Sequence, residues 1–372
     1  MGFERRMGGK MKKLKIALFQ YPDYKIPASG YGPKQLIIEL LARGFHKRGH
    51  KVSTFATADS QLPGEIIKIS PKGINEGLND NPEIQPDIER IYRSLAIGEL
   101  IRRSSDFDII HNHAGFTLLP VVQVLKSKVF HTLHGTYTNK HYRRIFKQYA
   151  QNGYYVPISN AQAKTLPPKV NCTEVIYHGI RINDFDFNSQ PLEKTLLFLG
   201  RLAKIKGVHT AIRVAKQTGY KLIIAGPIDI ARRGGKEYFA KEIKPHIDGK
   251  KIIYVGEVNH SQKKKLLRKS QALLFPVEWE EAFGLVMIEA MACGTPVIAY
   301  DCGSPAEIIT DSLTGYICPK GDLEAMIEAV LKIDQIDRAV CRKAAEERFS
   351  DEKMVDNYLK LFMEKNEKNS KI

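Results

Sequence analysis

Long apolar runs are missing from this sequence of 372 residues. Runs such as Lys15–Phe19 and Ala272–Phe275 have the length of a strand, well short of the roughly 20 residues that cross a membrane. The basic start is followed by an apolar run too short for a signal peptide, so we interpret residues 1–10 as a tail, with Met11 as an alternative start. We therefore expect a cytoplasmic protein.

Cysteine and acidic residues are also scarce. The five cysteines are odd in number and form no Cys-x-x-Cys pair, which argues against a disulfide framework and a zinc knuckle. The net charge of +16 attracts polyanions: nucleic acid, an anionic membrane or a phosphorylated substrate. The basic residues lack the spacing of nucleic-acid binders, so we expect no nucleic-acid partner. A solvated lysine-rich surface and peripheral contact with the inner face of an anionic membrane stay open as alternatives.

Short β-branched runs alternate with amphipathic stretches along the whole chain. Strands are predicted at Lys15–Phe19, Val52–Ala56, Asp108–His111, Val129–Leu133, Tyr154–Pro157, Glu174–Tyr177, Thr195–Leu199, Leu222–Ala225, Ile252–Val255, Leu273–Phe275, Val297–Ala299 and Tyr316–Cys318. This alternation predicts an α/β fold of parallel sheets with helical crossovers. A polar segment at 188–194 divides two Rossmann-like domains, over residues 11–187 and 188–350. A closing helix over 351–365 is expected to pack back on the first domain.

Two cations follow the strand that ends at Leu199. Gly200 forms a turn, and Arg201 and Lys206 stand five residues apart before the next helix. Ligands bind beyond the carboxyl ends of parallel strands, and an arginine and a lysine can neutralise a diphosphate there. Lys204 could replace Lys206 in this role, and both lysines could be solvated loop residues.

Two glutamates flank a turn after the strand that ends at Phe275. Glu281 lies in an acidic loop, Gly284 opens a helix, and Glu289 follows about two turns along it. Free amide groups at a helix start attract phosphate oxygens, while carboxylates accept hydrogen bonds from sugar hydroxyls. Glu289 stands in a nearly apolar helix, so it is either exposed on one polar face or buried with a partner.

Glycines and histidines mark the first domain. Gly30-Tyr31-Gly32 precedes a helix but fails as a dinucleotide-binding fingerprint, because Gln35 occupies the place of the third glycine. His134 ends a strand in the expected ligand region and could touch sugar or phosphate oxygens. His131 is expected to point the opposite way and to be structural.

Together these motifs resemble the family-4 retaining glycosyltransferases of the GT-B fold, and most closely the branch named for an avilamycin-biosynthesis enzyme. The resemblance covers nearly the whole chain. It rests on Gly200-Arg201-Leu202 with Lys206-Gly207, on Glu281 and Glu289, on Phe283-Gly284-Leu285, on Met291–Ile298, on His178-Gly179-Ile180 and on Asn183-Asp184-Phe185. Pro33 after Gly32 departs from the Gly-Gly of many relatives and cannot donate an amide. Ala282 is a milder departure.

The resemblance implies two domains whose sheets face each other across a cleft, and a role for each matching residue. Arg201 and Lys206 would hold the diphosphate of a nucleotide sugar, and Glu289 its ribose. Glu281 would bind donor-sugar hydroxyls, and His134 would lie over the reacting sugar, so these two are the catalytic candidates. The further donor-binding candidates are Val258 beside the base, the backbone of Phe283, Gly284 and Leu285, and Gly32.

The expected activity is retaining transfer of a sugar to an unknown acceptor, which can be lipid-linked, in the synthesis of a glycan, a lipopolysaccharide or another glycoconjugate. No cofactor and no metal are expected, and the donor is expected to be of the UDP type. A sugar-nucleotide epimerase of the same fold and a non-catalytic basic binding module are the alternatives. An epimerase would return an altered nucleotide sugar, and a binding module would respond to heparin or anionic lipid instead of the donor.

Overall fold

The computed structural model describes residues 12–28, 30, 32–78, 83–191, 193–230 and 234–367, so the predicted tail lies outside the described residues. The chain divides into two compact units. Of the described residues, the first unit contains those up to 158, residues 163–179 and residues 351–367. The second contains residues 159–162 and 180–350.

The first unit is built on a six-stranded parallel sheet. Its strands are β1 (Lys15–Phe19), β2 (Lys51–Thr57), β3 (Glu65–Ser70), β4 (Ile109–Asn112), β5 (Lys128–Thr132) and β6 (Tyr154–Val156), in the spatial order β3-β2-β1-β4-β5-β6. The helices of this half are α1 (Pro33–Lys47), α2 (Gln85–Arg103) and α3 (Lys140–Gln148), whereas α4 (Asn160–Thr165) begins in the residues of the second unit and ends in those of the first. A core of Phe19, Phe55, Ile110 and Leu100 packs α2 against one face of the sheet.

The second unit repeats this architecture. Its strands are β7 (Thr195–Leu199), β8 (Lys221–Ala225), β9 (Ile252–Tyr254), β10 (Ala272–Phe275), β11 (Val297–Tyr300) and β12 (Gly315–Cys318), in the order β12-β11-β10-β7-β8-β9. The helices are α5 (Val208–Thr218), α6 (Gly235–Tyr238), α7 (His260–Lys269), α8 (Leu285–Ala292), α9 (Pro305–Ile308), α10 (Leu323–Leu331) and α11 (Arg338–Phe349). The last helix, α12 (Asp351–Glu367), belongs to the first unit.

The sheets confirm the predicted α/β fold, with two local corrections. The predicted strand Glu174–Tyr177 is wrong, because this segment runs beside β6 with only scattered backbone hydrogen bonds, such as Ile176 to Pro157 at 2.9 Å. The structure adds β3, an edge strand whose side chains are only partly buried, so its sequence lacks a continuous apolar run. No helix in the described ranges is long and apolar enough to cross a membrane.

In each sheet the chain adds strands first on one side of the sheet's first strand and then on the other side, so the strand order reverses there. β1 lies between β2 and β4, and β7 lies between β8 and β10. Ligands of open parallel sheets bind beyond the carboxyl ends of the strands at this reversal. The loops after β7 and β10 and the loops after β1 and β4 are therefore the places where a ligand is expected.

Candidate functional site

The loop after β7 packs directly on the loop after β10. Gly207 has a φ of 72°, and a Cβ there would lie 1.9 Å from the carbonyl oxygen of Pro276. The amide of Glu278 also donates to the carbonyl of Ile205 at 3.0 Å. Only glycine permits this close approach in the left-handed region, and the contact brings Lys206 beside the acidic loop.

Lys206, Glu281 and Trp279 form one cluster. The Lys206 Nζ lies 2.6 Å from Glu281 Oε2, and Trp279 Nε1 donates to the same oxygen at 3.0 Å. The ammonium also lies 5.0 Å from the Trp279 ring, within cation–π distance. Only 18% and 12% of the Lys206 and Glu281 side chains are exposed, so each charge compensates the other in a largely dry site.

Arg201 is oriented by a buried acid that the sequence did not indicate. Its Nη1 lies 3.6 Å from Asp229 Oδ1, in the loop after β8. The Asp229 side chain is 3% exposed and the Arg201 side chain is 34% exposed. The buried Nε of Arg201 has no hydrogen-bond partner among the described residues. The guanidinium thus lies beside a carboxylate on one side, and the exposed part of the side chain is accessible to an anion.

The turn that starts α8 is fixed by the loop after β11. Ser304 donates through Oγ to the Phe283 carbonyl at 2.8 Å and through its amide to the Glu281 carbonyl at 2.9 Å. Gly284 is the N-cap of α8 with a φ of 81°, and no side chain caps this helix start. The turn, with Phe283 buried and Leu285 half-buried, presents an uncapped helix N-terminus immediately after Glu281.

Glu289 is buried with a partner, which decides the alternative that the sequence left open. Its side chain is 4% exposed, and its Oε1 lies 2.5 Å from Lys263 Nζ on α7. Lys263 is the first of three consecutive lysines, Lys263 to Lys265, and the sequence analysis assigned it no role. Val258 is half-buried in the loop between β9 and α7, and its predicted place beside the base stays a prediction.

His134 belongs to a cluster of four histidines in the first unit. His113 Nδ1 lies 2.9 Å from His134 Nε2, the His111 and His113 rings lie 4.2 Å apart, and the His134 and His178 rings stack at 5.2 Å. Burial, with neighbouring histidines and Lys34, lowers the pKa of His113 and His134 well below the usual value. These imidazoles are neutral near pH 7 and act as hydrogen-bonding groups.

Two further first-unit residues have structural explanations. A Cβ on Gly32 would lie 2.6 Å from the Ala28 Cβ, so packing alone requires glycine before Pro33 starts α1. Its predicted ligand contact stays a prediction. His131 is buried and bonded to Asn112 and to the Asn152 carbonyl, as expected of a structural residue.

The structure joins two of the predicted residues by a direct contact. Lys206 and Glu281 touch, and Phe283, Gly284 and Leu285 continue from them, whereas Arg201 and Glu289 have their own partners. His134 and Gly32 belong to the first unit. Trp279, Asp229 and Lys263 are the site residues that the sequence analysis missed. In the described ranges, no three His, Cys, Asp or Glu residues are arranged to hold a metal ion.

Comparison with known families covers most of the chain. Residues 180–368 match the model described as glycosyl transferases group 1, and residues 36–184 match the model described as glycosyltransferase family 4. An uncharacterized glycosyltransferase of Methanocaldococcus jannaschii is 28% identical over 353 residues, which cover 83% of this chain and 85% of that protein.

Solved structures share the fold over nearly the full length. A glycosyltransferase involved in avilamycin A biosynthesis superposes with a TM-score of 0.68 at 21% identity, covering 95% of this chain and 98% of that one. The HepE protein of Anabaena, solved in complex with UDP and glucose, superposes with a TM-score of 0.72 at 16% identity, covering 94% and 99%. At these sequence identities, the structural similarity establishes the fold alone.

Proposed function

The chain belongs to the group 1 and family 4 glycosyltransferases and has their GT-B fold, and from this premise we propose that it transfers a sugar from a nucleotide-diphosphate sugar of the UDP type with retention of configuration. The observation that carries the proposal is the cluster of Lys206, Glu281 and Trp279 at the strand-order reversal of the second unit, with Arg201 on the same loop as Lys206. The HepE complex with UDP and glucose supports this donor class.

In this proposal Arg201 and Lys206 hold the diphosphate. Negative charge builds on the leaving nucleotide as its bond to the sugar breaks, and prepositioned cations stabilise that charge more than they stabilise the ground state. Two cations can neutralise the diphosphate without a metal ion. When Lys206 turns to the phosphate, Glu281 keeps the Trp279 hydrogen bond and gains capacity to accept one from a sugar hydroxyl.

The remaining residues would position the donor. Glu289 would accept hydrogen bonds from the ribose, Val258 would lie beside the base, and the amides at Gly284 and Leu285 would face the phosphate or sugar. Because burial keeps it neutral, His134 would exchange hydrogen bonds with the transferred sugar without adding charge. For retention, the acceptor attacks the face that the nucleotide leaves.

The matched relative is described as a glycosyltransferase. This similarity does not favour the alternative function, a sugar-nucleotide epimerase. The two activities differ in the fate of a labelled sugar, which a transferase moves to an acceptor and an epimerase leaves on the nucleotide. A lipid-linked acceptor and contact with an anionic membrane stay predictions.

The cluster contains the single tryptophan of the chain, so intrinsic fluorescence reports on it directly. We expect a saturable change in Trp279 emission on titration with UDP or a UDP-sugar, because the diphosphate draws Lys206 away from the indole ring. Uridine, which lacks phosphate, is the control and should leave the emission unchanged. If no nucleoside diphosphate changed either the emission or the melting temperature, the proposed donor site would be wrong.

Glu289→Gln is expected to raise KM for the donor about 10- to 100-fold with a smaller effect on kcat. A lost hydrogen bond to a charged group costs about 1.5–3 kcal/mol, and a ribose contact acts equally on ground and transition states. Initial-rate kinetics over donor concentration measure this split. Glu346→Gln, on a half-exposed side chain of α11, is the matched control. Unchanged kinetics in Glu289→Gln would remove Glu289 from the donor site.

A further inference from the structure

The outer face of α2 exposes apolar side chains. Ala96 and Leu100 face the core of the first unit, whereas Ile84, Ile91 and Leu95 are 44%, 51% and 54% exposed. Spacings of seven and four residues place these three side chains on one side of a helix. Such a stripe on a helix with one buried face indicates a partner.

Charged residues of opposite sign lie at the two ends of this stripe. Asp87 and Arg90 pair with each other near the N-terminal end, and Glu99 and Arg102 pair near the C-terminal end. Gly98 lies on the stripe between them, and a Cβ on it would meet no atom within 4 Å. The face therefore has charge pairs at both ends and an open space in its second half.

We propose that α2 docks on the α2 of a second copy of this chain, antiparallel, around a two-fold axis between Ser94 and Leu95. This arrangement brings Ile91 onto the open space at Gly98 of the other copy. It also brings Asp87 to the other copy's Arg102 and Arg90 to its Glu99, so two intrahelical pairs become an alternating network. A two-fold interface repeats each of these contacts.

Charge favours a second copy over a lipid surface. Arg90 and Arg102, which flank the stripe, are both paired with carboxylates of the same helix, so neither offers an unpaired charge to anionic headgroups. Antiparallel helices also place opposite dipole ends together.

The proposed interface is small. One 19-residue helix is about 28 Å long and covers less than the roughly 800 Å² per partner of a standard interface, so the dimer dissociates on dilution.

Charge reversal tests the register. Asp87→Arg and Arg102→Asp each place like charges together in the dimer and are expected to raise its dissociation constant at least about tenfold. The double variant restores opposite charges and is expected to recover most of the affinity. Sedimentation velocity through the micromolar range measures the shift from the 42.1 kDa monomer. A double variant as weak as the single variants, or a wild type that stays monomeric, would overturn the proposal.

Matched controls separate this surface from general effects. Lys343→Glu and Glu347→Lys reverse an exposed pair on α11 and should leave the dissociation constant unchanged. Ile91→Ser should weaken the dimer, while Leu331→Ser, at an apolar residue 63% exposed, should not.

Co-sedimentation with phosphatidylglycerol vesicles tests whether a lipid surface covers the stripe instead. Vesicle binding by a monomeric wild type that Ile91→Ser abolishes would assign the stripe to lipid and refute the dimer.

Discussion

Lys206→Met is expected to lower kcat/KM for the nucleotide sugar at least about 100-fold, because removal of one preorganised group that stabilises developing charge costs about 2.7–4 kcal/mol. The substitution keeps an unbranched side chain that is one atom shorter and removes its charge. It also leaves the Glu281 carboxylate, 12% exposed, with the Trp279 N–H and without its cation, so the diphosphate would approach an uncompensated negative charge. Both effects raise the activation free energy of sugar transfer.

Lys204→Met is the control, since this lysine lies two residues away on the same loop and is exposed. It removes the same charge without touching Glu281, so kcat/KM should change less than threefold. The comparison also decides between the two lysines that the sequence offered for the diphosphate. Equal losses in the two variants would indicate a general effect of positive charge, and a normal Lys206→Met enzyme would contradict its proposed role.

The sequence predicted most of the fold because its signals are local. Gly284 was expected to open a helix that carries Glu289, and α8 begins directly after it and runs over Leu285–Ala292. Each buried strand is a short run rich in apolar residues, which can be recognised without knowledge of its neighbouring strands. The edge strand β3 was missed because its side chains are partly exposed, and Glu174–Tyr177 was wrongly predicted because a similar run does not form a ladder.

The sequence indicated the positions of the candidate site residues but not the contacts between them. A cation after a glycine turn at the end of a strand can be identified from sequence, and so can a glutamate in the helix that follows another strand. The contact of Lys206 with Glu281, 75 residues apart, depends on β7 lying beside β10, and alternation of strands and helices does not specify that order. Asp229 and Lys263 were missed for the same reason, since each is a partner from another loop or helix.

Acidification from pH 6.5 to 4 is expected to destabilise the protein strongly through its buried histidines. Burial lowers the pKa of His111 and His178 to about 3, below the value of 6.5 of an exposed imidazole. The unfolded chain therefore binds protons in this window that the folded chain does not. The contribution of each such histidine to the free energy of unfolding is fully present above pH 6.5. It falls by about 1.4 kcal/mol per pH unit as the pH approaches the pKa of the folded state.

His111→Gln tests this origin, because glutamine keeps a polar group near Thr132 and Tyr358 but does not titrate. The variant is less stable at pH 7, where the hydrogen bond of His111 Nε2 to Thr132 Oγ1 is altered, yet its unfolding free energy should fall less steeply below pH 6.5. Urea unfolding at a series of pH values, followed by circular dichroism, measures the two slopes. His141→Gln, at an exposed histidine of α3, should keep the wild-type slope. Identical slopes in His111→Gln and the wild type would show that the acid sensitivity has another source, because the removal of one buried titrating imidazole must reduce the proton uptake on unfolding by about one.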